Sequence, residues 1–108
     1  MPSVTNQQMP DLRRATRFTV EFETICETRK DGEFTVKLNN ISAHGCQFSH
    51  DVELNKGDRV IVRLPIAGRI EAFLVWSHEG RSGFEFERVI RQPDFMALVD
   101  KIGHPEQQ

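Results

Sequence analysis

Hydrophobic and polar residues alternate in six short stretches between about residue 17 and residue 87. In the first, from Arg17 to Glu27, Phe18, Val20 and Phe22 alternate with threonine and glutamate. Because successive side chains of a β-strand lie on opposite faces, this stretch is predicted to be a strand with one buried face. The other five stretches centre on Phe34–Leu38, Cys46–Phe48, Val60–Leu64, Ile70–Trp76 and Phe84–Phe86.

Turn-forming residues separate these stretches at Lys30–Gly32, Asn55–Asp58 and Glu79–Gly80. The stretch from Ile70 to Trp76 has apolar residues in both of its alternating rows, since Leu74 and Trp76 lie in one row and Phe73 and Val75 in the other. It is therefore either covered on both sides or part of a closed barrel. Six short strands joined by such turns predict an antiparallel barrel or a sandwich.

One stretch near the C-terminus departs from the period of two. Its apolar residues have the spacing i, i+3, i+4 and i+7 of one helical face: Phe95, Leu98, Val99 and Ile102. Pro93 and Asp94 suit the first turn of a helix, and Gly103 can end it. Such a helix either closes an open end of the barrel or offers a surface to a partner.

Both ends of the chain are polar. Residues 1–11 and residues 104–108 have little to bury, so we expect flexible tails around one domain at residues 12–103. A chain of this length can bury a core without metals or disulfides. No apolar run approaches the ~20 residues of a membrane helix, and no secretory signal pattern is present. We therefore expect no membrane insertion.

Charge and cysteine content narrow the possible partners. The 108 residues carry 14 Lys and Arg against 16 Asp and Glu, a net charge of −2 at pH 7. Proteins that bind DNA or RNA usually carry a positive excess, so we expect no nucleic-acid partner, and any anion site must be local. Cys26 and Cys46 form no CxxC motif, which argues against a zinc ribbon or a redox motif. Reduced thiols fit a cytoplasmic protein.

Three arginines stand directly before the first strand: Arg13, Arg14 and Arg17. The planar guanidinium forms paired hydrogen bonds with phosphate and stacks on bases, so this segment can close over an anion. By itself it equally fits a solvated basic stretch.

A second polar motif, Asn40-x-Ser42-x-x-Gly45, follows the second strand. In an extended stretch the side chains of Asn40 and Ser42 point the same way. Gly45 allows a positive φ and lets a ligand approach the backbone. By itself the motif also fits an ordinary Asx or Ser turn.

Together, in this order and on this strand pattern, the two motifs resemble the PilZ domain family. The segment Gly57-Asp58-Arg59-Val60 is similar to a mid-domain turn of that family. The segments Val75-Trp76 and Gly83-Phe84-Glu85-Phe86 are similar to its last hairpin. The resemblance covers Leu12 to Glu87. It implies a six-stranded antiparallel β-barrel with a C-terminal α-helix.

The resemblance also implies a ligand, the bacterial second messenger cyclic di-GMP. By position, Arg13 and Arg17 match the arginines that grip its phosphates and guanines, and Arg14 matches an additional arginine often found beside them. Asn40, Ser42 and Gly45 match the motif that holds the guanine side, with Asn40 where the family often has aspartate. Trp76 resembles an aromatic residue near the ligand in some members, although core packing is an alternative for it. Leu12 adds no charge for a second ligand, which favours one ligand per chain.

Other chemistry finds little support in the sequence. His44 and Cys46 lie two apart, but nothing places further metal ligands around them, so we expect no metal and no cofactor besides the ligand. Glu85 and Glu87 lie side by side on one strand face rather than across a cleft, and no P-loop is present. We therefore expect a binding protein and not an enzyme.

The leading hypothesis is a stand-alone cyclic di-GMP receptor that signals to a partner protein. One alternative is a PilZ-like interaction module of motility or pilus machinery that binds no nucleotide. Such members usually lack the arginines. The other is a small barrel that binds single-stranded nucleic acid, which the net charge and the single tryptophan disfavour.

Overall fold

Within residues 16–103, six antiparallel strands close into one barrel. The computed structural model of the chain describes residues 16–103; Arg13, Arg14 and the two predicted tails lie outside this range. The strands pair in the order β1-β2-β3-β6-β5-β4, and β4 returns to β1. The predicted six-stranded antiparallel barrel with a C-terminal helix is confirmed, and the sandwich is excluded. The elements are β1 (Phe18–Thr28), β2 (Gly32–Ile41), β3 (Gly45–Ser49), β4 (Arg59–Leu64), β5 (Gly68–His78), β6 (Arg81–Phe86) and α1 (Gln92–Ile102).

The barrel interior is filled by the apolar rows that the alternation predicts. Leu38, Phe48 and Leu74 are almost completely buried, and the rings of Phe48 and Phe84 stack at 4.3 Å. Both cysteines are buried as free thiols, and burial raises the pKa of Cys26 to about 12. The raised pKa keeps this thiol protonated at neutral pH.

In the part of the chain that the structure describes, three β-bulges interrupt the alternation, at Thr19–Phe22, Leu38–Asn40 and Leu74–Trp76. A bulge adds one residue to one strand, so beyond it the inward and outward positions exchange. The third bulge decides between the two interpretations of Trp76, a place near the ligand and packing in the core. The extra residue turns Trp76 outward, so the core alternative is wrong, and 42% of its surface is exposed.

Helix α1 closes the core at the end of the barrel where β1 begins. Its buried residues belong to the same apolar cluster as the strands, and Phe95 packs against Phe18 with ring centroids 5.7 Å apart. Pro93 lies in the first turn, and the Gly103 amide donates to the Val99 carbonyl at the C-terminal end. No helix within residues 16–103 is long and apolar enough to cross a membrane.

Candidate functional site

Arg17 and Asn40, one residue of each sequence motif, meet on the outer wall of the barrel, where β1 begins and β2 ends. The register pairs Phe18 with Ile41, which brings the residue before β1 beside the end of β2. Nη1 of Arg17 donates a hydrogen bond to Oδ1 of Asn40 at 2.7 Å. The last arginine of the first motif therefore contacts the first residue of the second motif, 23 positions further along the chain.

Ser42 belongs to the turn that joins β2 to β3. Its side chain is buried, and its hydroxyl accepts a hydrogen bond from the amide of His44 at 3.1 Å. Its own amide donates to the Gly45 carbonyl at 2.9 Å. Asn40 and Ser42 therefore do not both point outward as the spacing predicted, because β2 ends at Ile41 and the chain turns there. The Ser42 hydroxyl fixes the shape of the loop beside Asn40.

Gly45 is required by a close approach between strands and not by an unusual backbone angle. Its φ is not positive, so the conformational reason predicted for this glycine is wrong. A Cβ atom at this position would overlap the carbonyl oxygen of Phe84 and lie 3.3 Å from Cα of Glu85. Gly45 thus lets β3 lie directly against β6.

Four positions form a continuous line across the outer wall, and we call it the outer row: Asn40, Gln47, Gly83 and Trp76. Asn40 pairs with Gln47, Gln47 with Gly83, and Gly83 with Trp76. A Cβ atom at Gly83 would overlap Nε1 of Trp76 and lie 2.8 Å from its Cδ1, so the indole rests on the bare backbone of Gly83. The row therefore has the Arg17–Asn40 contact at one end and an exposed aromatic ring at the other.

The sequence did not identify Gln47 and Gly83 as site residues. Alternation with the buried Cys46 and Phe48 could have placed Gln47 on the outside. The pairing of β3 with β6, which sets Gln47 beside Gly83, is not visible in local sequence because these strands are far apart in the chain.

Arg59 lies elsewhere on the wall and pairs with two carboxylates. Nη1 of Arg59 contacts Glu87 at 2.7 Å and Glu71 at 3.1 Å. The hydrogen bond from Arg59 lowers the pKa of Glu87, and the same bond raises the pKa of Arg59. Among residues 16–103, no three His, Cys, Asp or Glu side chains lie close enough together to hold a metal ion.

Two concave regions flank these features. A cavity of about 350 Å³ lies beside the start of β1 and is lined mainly by apolar side chains, Phe18 and Phe95 among them. A larger cleft of about 760 Å³ lies at the opposite end of β1. Its charged lining residues are four acidic and three basic: Glu27, Asp31, Asp58, Glu71, Arg29, Lys30 and Arg59.

Comparison with known proteins agrees with this architecture. A family model described as the PilZ domain matches residues 11–102. Among solved structures, the chain is similar to the crystal structure of the PilZ domain of CeSA from a cellulose-synthesizing bacterium. The TM-score is 0.59 at 13% identity, covering 82% of this chain and 95% of that one. At this identity the likeness concerns the fold. No curated protein matches the chain at a significant level.

Proposed function

The chain belongs to the PilZ domain family, whose members are generally receptors for cyclic di-GMP, and we propose that it binds cyclic di-GMP on the wall that carries Arg17 and Asn40. The contact between these two side chains is the observation that carries the proposal. It joins the arginine motif to the polar strand motif at a surface open to solvent. In the proposed complex, Arg13, Arg14 and Arg17 contact the phosphates and a guanine, while Asn40 and the turn from Ser42 to Gly45 hold the guanine side.

The chemistry of these groups suits the ligand. A guanidinium fork matches the O6 and N7 acceptors of guanine and also binds phosphate oxygens in pairs. Asn40 already orients the Arg17 guanidinium through its Oδ1 atom, which reduces the rotamer freedom lost on binding. The exposed indole of Trp76 adds a flat surface on which a purine can stack, an interaction worth roughly 1–3 kcal/mol per base.

The larger cleft is less suited to a ligand with two phosphates than the wall that carries Arg17. Its lining carries one more acidic than basic side chain, and its Arg59 is already paired with Glu71. Arg17, by contrast, has its guanidinium on an exposed wall and meets a neutral carboxamide. The charge of Arg17 is therefore not offset by this partner, whereas the charge of Arg59 is offset by two carboxylates.

Isothermal titration calorimetry with cyclic di-GMP tests the site. Arg17→Ala removes charged hydrogen bonds worth about 1.5–3 kcal/mol, so we expect the affinity to fall roughly 10- to 150-fold. Arg13→Ala is expected to lower the affinity for cyclic di-GMP by a similar factor, because ordering the arginine segment requires several contacts at once.

Arg69→Ala is the matched control. Arg69 is an exposed strand arginine paired with Glu27 at 3.4 Å, and such surface pairs contribute little. The affinity of Arg69→Ala for cyclic di-GMP should stay near that of the wild type. Wild-type affinity in Arg17→Ala would reject the site, and tighter binding of GTP or of a single-stranded oligonucleotide would reject the ligand.

The proposal includes how the signal leaves the domain. Cyclic di-GMP draws the segment from Arg13 to Arg17 onto the wall beside Asn40, and the ordered surface then forms the interface for a partner protein. A heteronuclear NMR relaxation experiment on residues 10–17, with and without cyclic di-GMP, tests this step. Unchanged relaxation on saturation would reject the switch while leaving binding intact.

A further inference from the structure

The two ends of the outer row are too far apart for one small group to contact both. Asn40 lies on β2 and Trp76 on β5, with β3 and β6 between them. Three inter-strand spacings of ~4.8 Å put their backbones about 14 Å apart. The indole of Trp76 lies over Gly83, so Gln47 is the one side chain of the row between that ring and the Arg17–Asn40 contact.

Gln47 has an amide available for recognition. Its neighbours Cys46 and Phe48 face the core, so its own side chain faces outward, half-buried. Within residues 16–103 its carboxamide has no hydrogen-bond partner. An amide in that position offers one acceptor oxygen and two donor hydrogens to whatever lies on the row.

The donors and acceptors on the edges of guanine indicate which atom of the Gln47 amide contacts the base. If an arginine fork takes O6 and N7, the 2-amino donor on the other side of the base still needs an acceptor. Oδ1 of Asn40 already accepts from Arg17. Oε1 of Gln47 is the side-chain acceptor of the row that has no hydrogen bond among residues 16–103.

On the basis of the function proposed above, we propose that Gln47 is a further ligand-contacting residue whose Oε1 accepts a hydrogen bond from a guanine 2-amino group. The residue then contributes to selectivity, because a purine that lacks the 2-amino group cannot donate this hydrogen bond.

A comparison of two ligands with two proteins tests this contact. Cyclic di-inosine monophosphate differs from cyclic di-GMP only in lacking the 2-amino groups, and Gln47→Met keeps the side-chain length without the amide. By calorimetry, the wild type should prefer cyclic di-GMP by roughly 3- to 10-fold, the value of one hydrogen bond. Gln47→Met should lose this preference by binding cyclic di-GMP more weakly and the inosine ligand unchanged.

Thr35→Val is the matched control, since Thr35 is an exposed position of β2 away from the row, and it should keep the wild-type preference. Gln47→Ala replaces the methionine variant if that protein does not fold. A full preference retained without the Gln47 amide overturns the inference while the proposed function stands. Failure of the wild type to bind cyclic di-GMP overturns both.

Discussion

Two glycines on adjacent strands of the barrel offer a direct test of the packing argument. A methyl group added at Gly45 or at Gly83 would overlap a neighbouring atom in each case. At Gly45 the obstructing atoms are backbone, the Phe84 carbonyl and Cα of Glu85. At Gly83 they belong to the indole of Trp76, a partly exposed side chain. The two substitutions are chemically identical, but only the second obstruction can rotate away.

Gly45→Ala is therefore expected to open the β3–β6 ladder. Overpacking of this kind costs about 1–3 kcal/mol, and weakening a nearby backbone hydrogen bond adds about 0.5–1.5 kcal/mol. The bond from the Phe86 amide to the His44 carbonyl, at 2.8 Å, adjoins the site of the clash. We expect a total loss of about 2–4 kcal/mol, out of the 5–15 kcal/mol that is typical of a domain.

Urea unfolding monitored by circular dichroism measures this loss. With an m-value of about 2 kcal/mol per molar, the midpoint of Gly45→Ala should fall by on the order of 1–2 M. Gly83→Ala should shift the midpoint far less, while the fluorescence of Trp76, the single tryptophan, changes as the ring leaves the strand. Equal losses in the two variants, or a wild-type midpoint for Gly45→Ala, would refute the reasoning.

Three further predictions concern the core and the surface charges. Leu98→Ala should lower the free energy of unfolding by about 2–5 kcal/mol, measured by urea unfolding, because the side chain of Leu98 is fully buried under the barrel end. Cys26, whose pKa is raised to about 12 by burial, should not react with a thiol reagent at pH 8 until urea unfolds the protein. Reaction of Cys26 at the rate of an exposed thiol would contradict this. Because its pKa is lowered, Glu87 stabilises the fold above its ordinary pKa of 4.5 and loses that contribution as the pH falls below it. The stability difference between wild type and Glu87→Gln should therefore shrink from pH 7 to pH 3, and a constant difference would contradict the pairing with Arg59.

Local sequence was sufficient to predict the strands and the helix, because burial of one face gives each element a short repeat of apolar positions. All six strands and helix α1 lie where alternation and the helical spacing put them. The strand pattern fitted both a closed barrel and a sandwich until the resemblance was added, because closure depends on the β1–β4 pairing. That pairing joins Cys26 to Val62, far apart in the chain.

The candidate site was predicted less completely. The contact between Arg17 and Asn40 links two motifs that the sequence identified, but their joint function and the roles of Arg13 and Arg14 stay predictions. The orientation of Trp76 stayed open between the core and the ligand side, and the conformational reason for Gly45 was wrong, because each depends on a neighbouring strand. The partner for Trp76 is the backbone of Gly83, and the partner for Gly45 is the backbone of Phe84.

The site lies where the period of two fails, and this has a physical cause. A barrel strand with unbroken alternation would send Asn40 inward after Leu38 and Trp76 inward after Leu74. One extra residue in each strand turns both side chains outward, and Ile41 takes the next buried position in β2. Bulges concentrate near binding sites because they aim a side chain out of an otherwise regular wall. The shift in β2 was visible beforehand, since the spacing from Leu38 to Ile41 is three rather than two. Such a break in an apolar row is thus a local sign of where this barrel wall turns side chains outward, and the candidate site lies there.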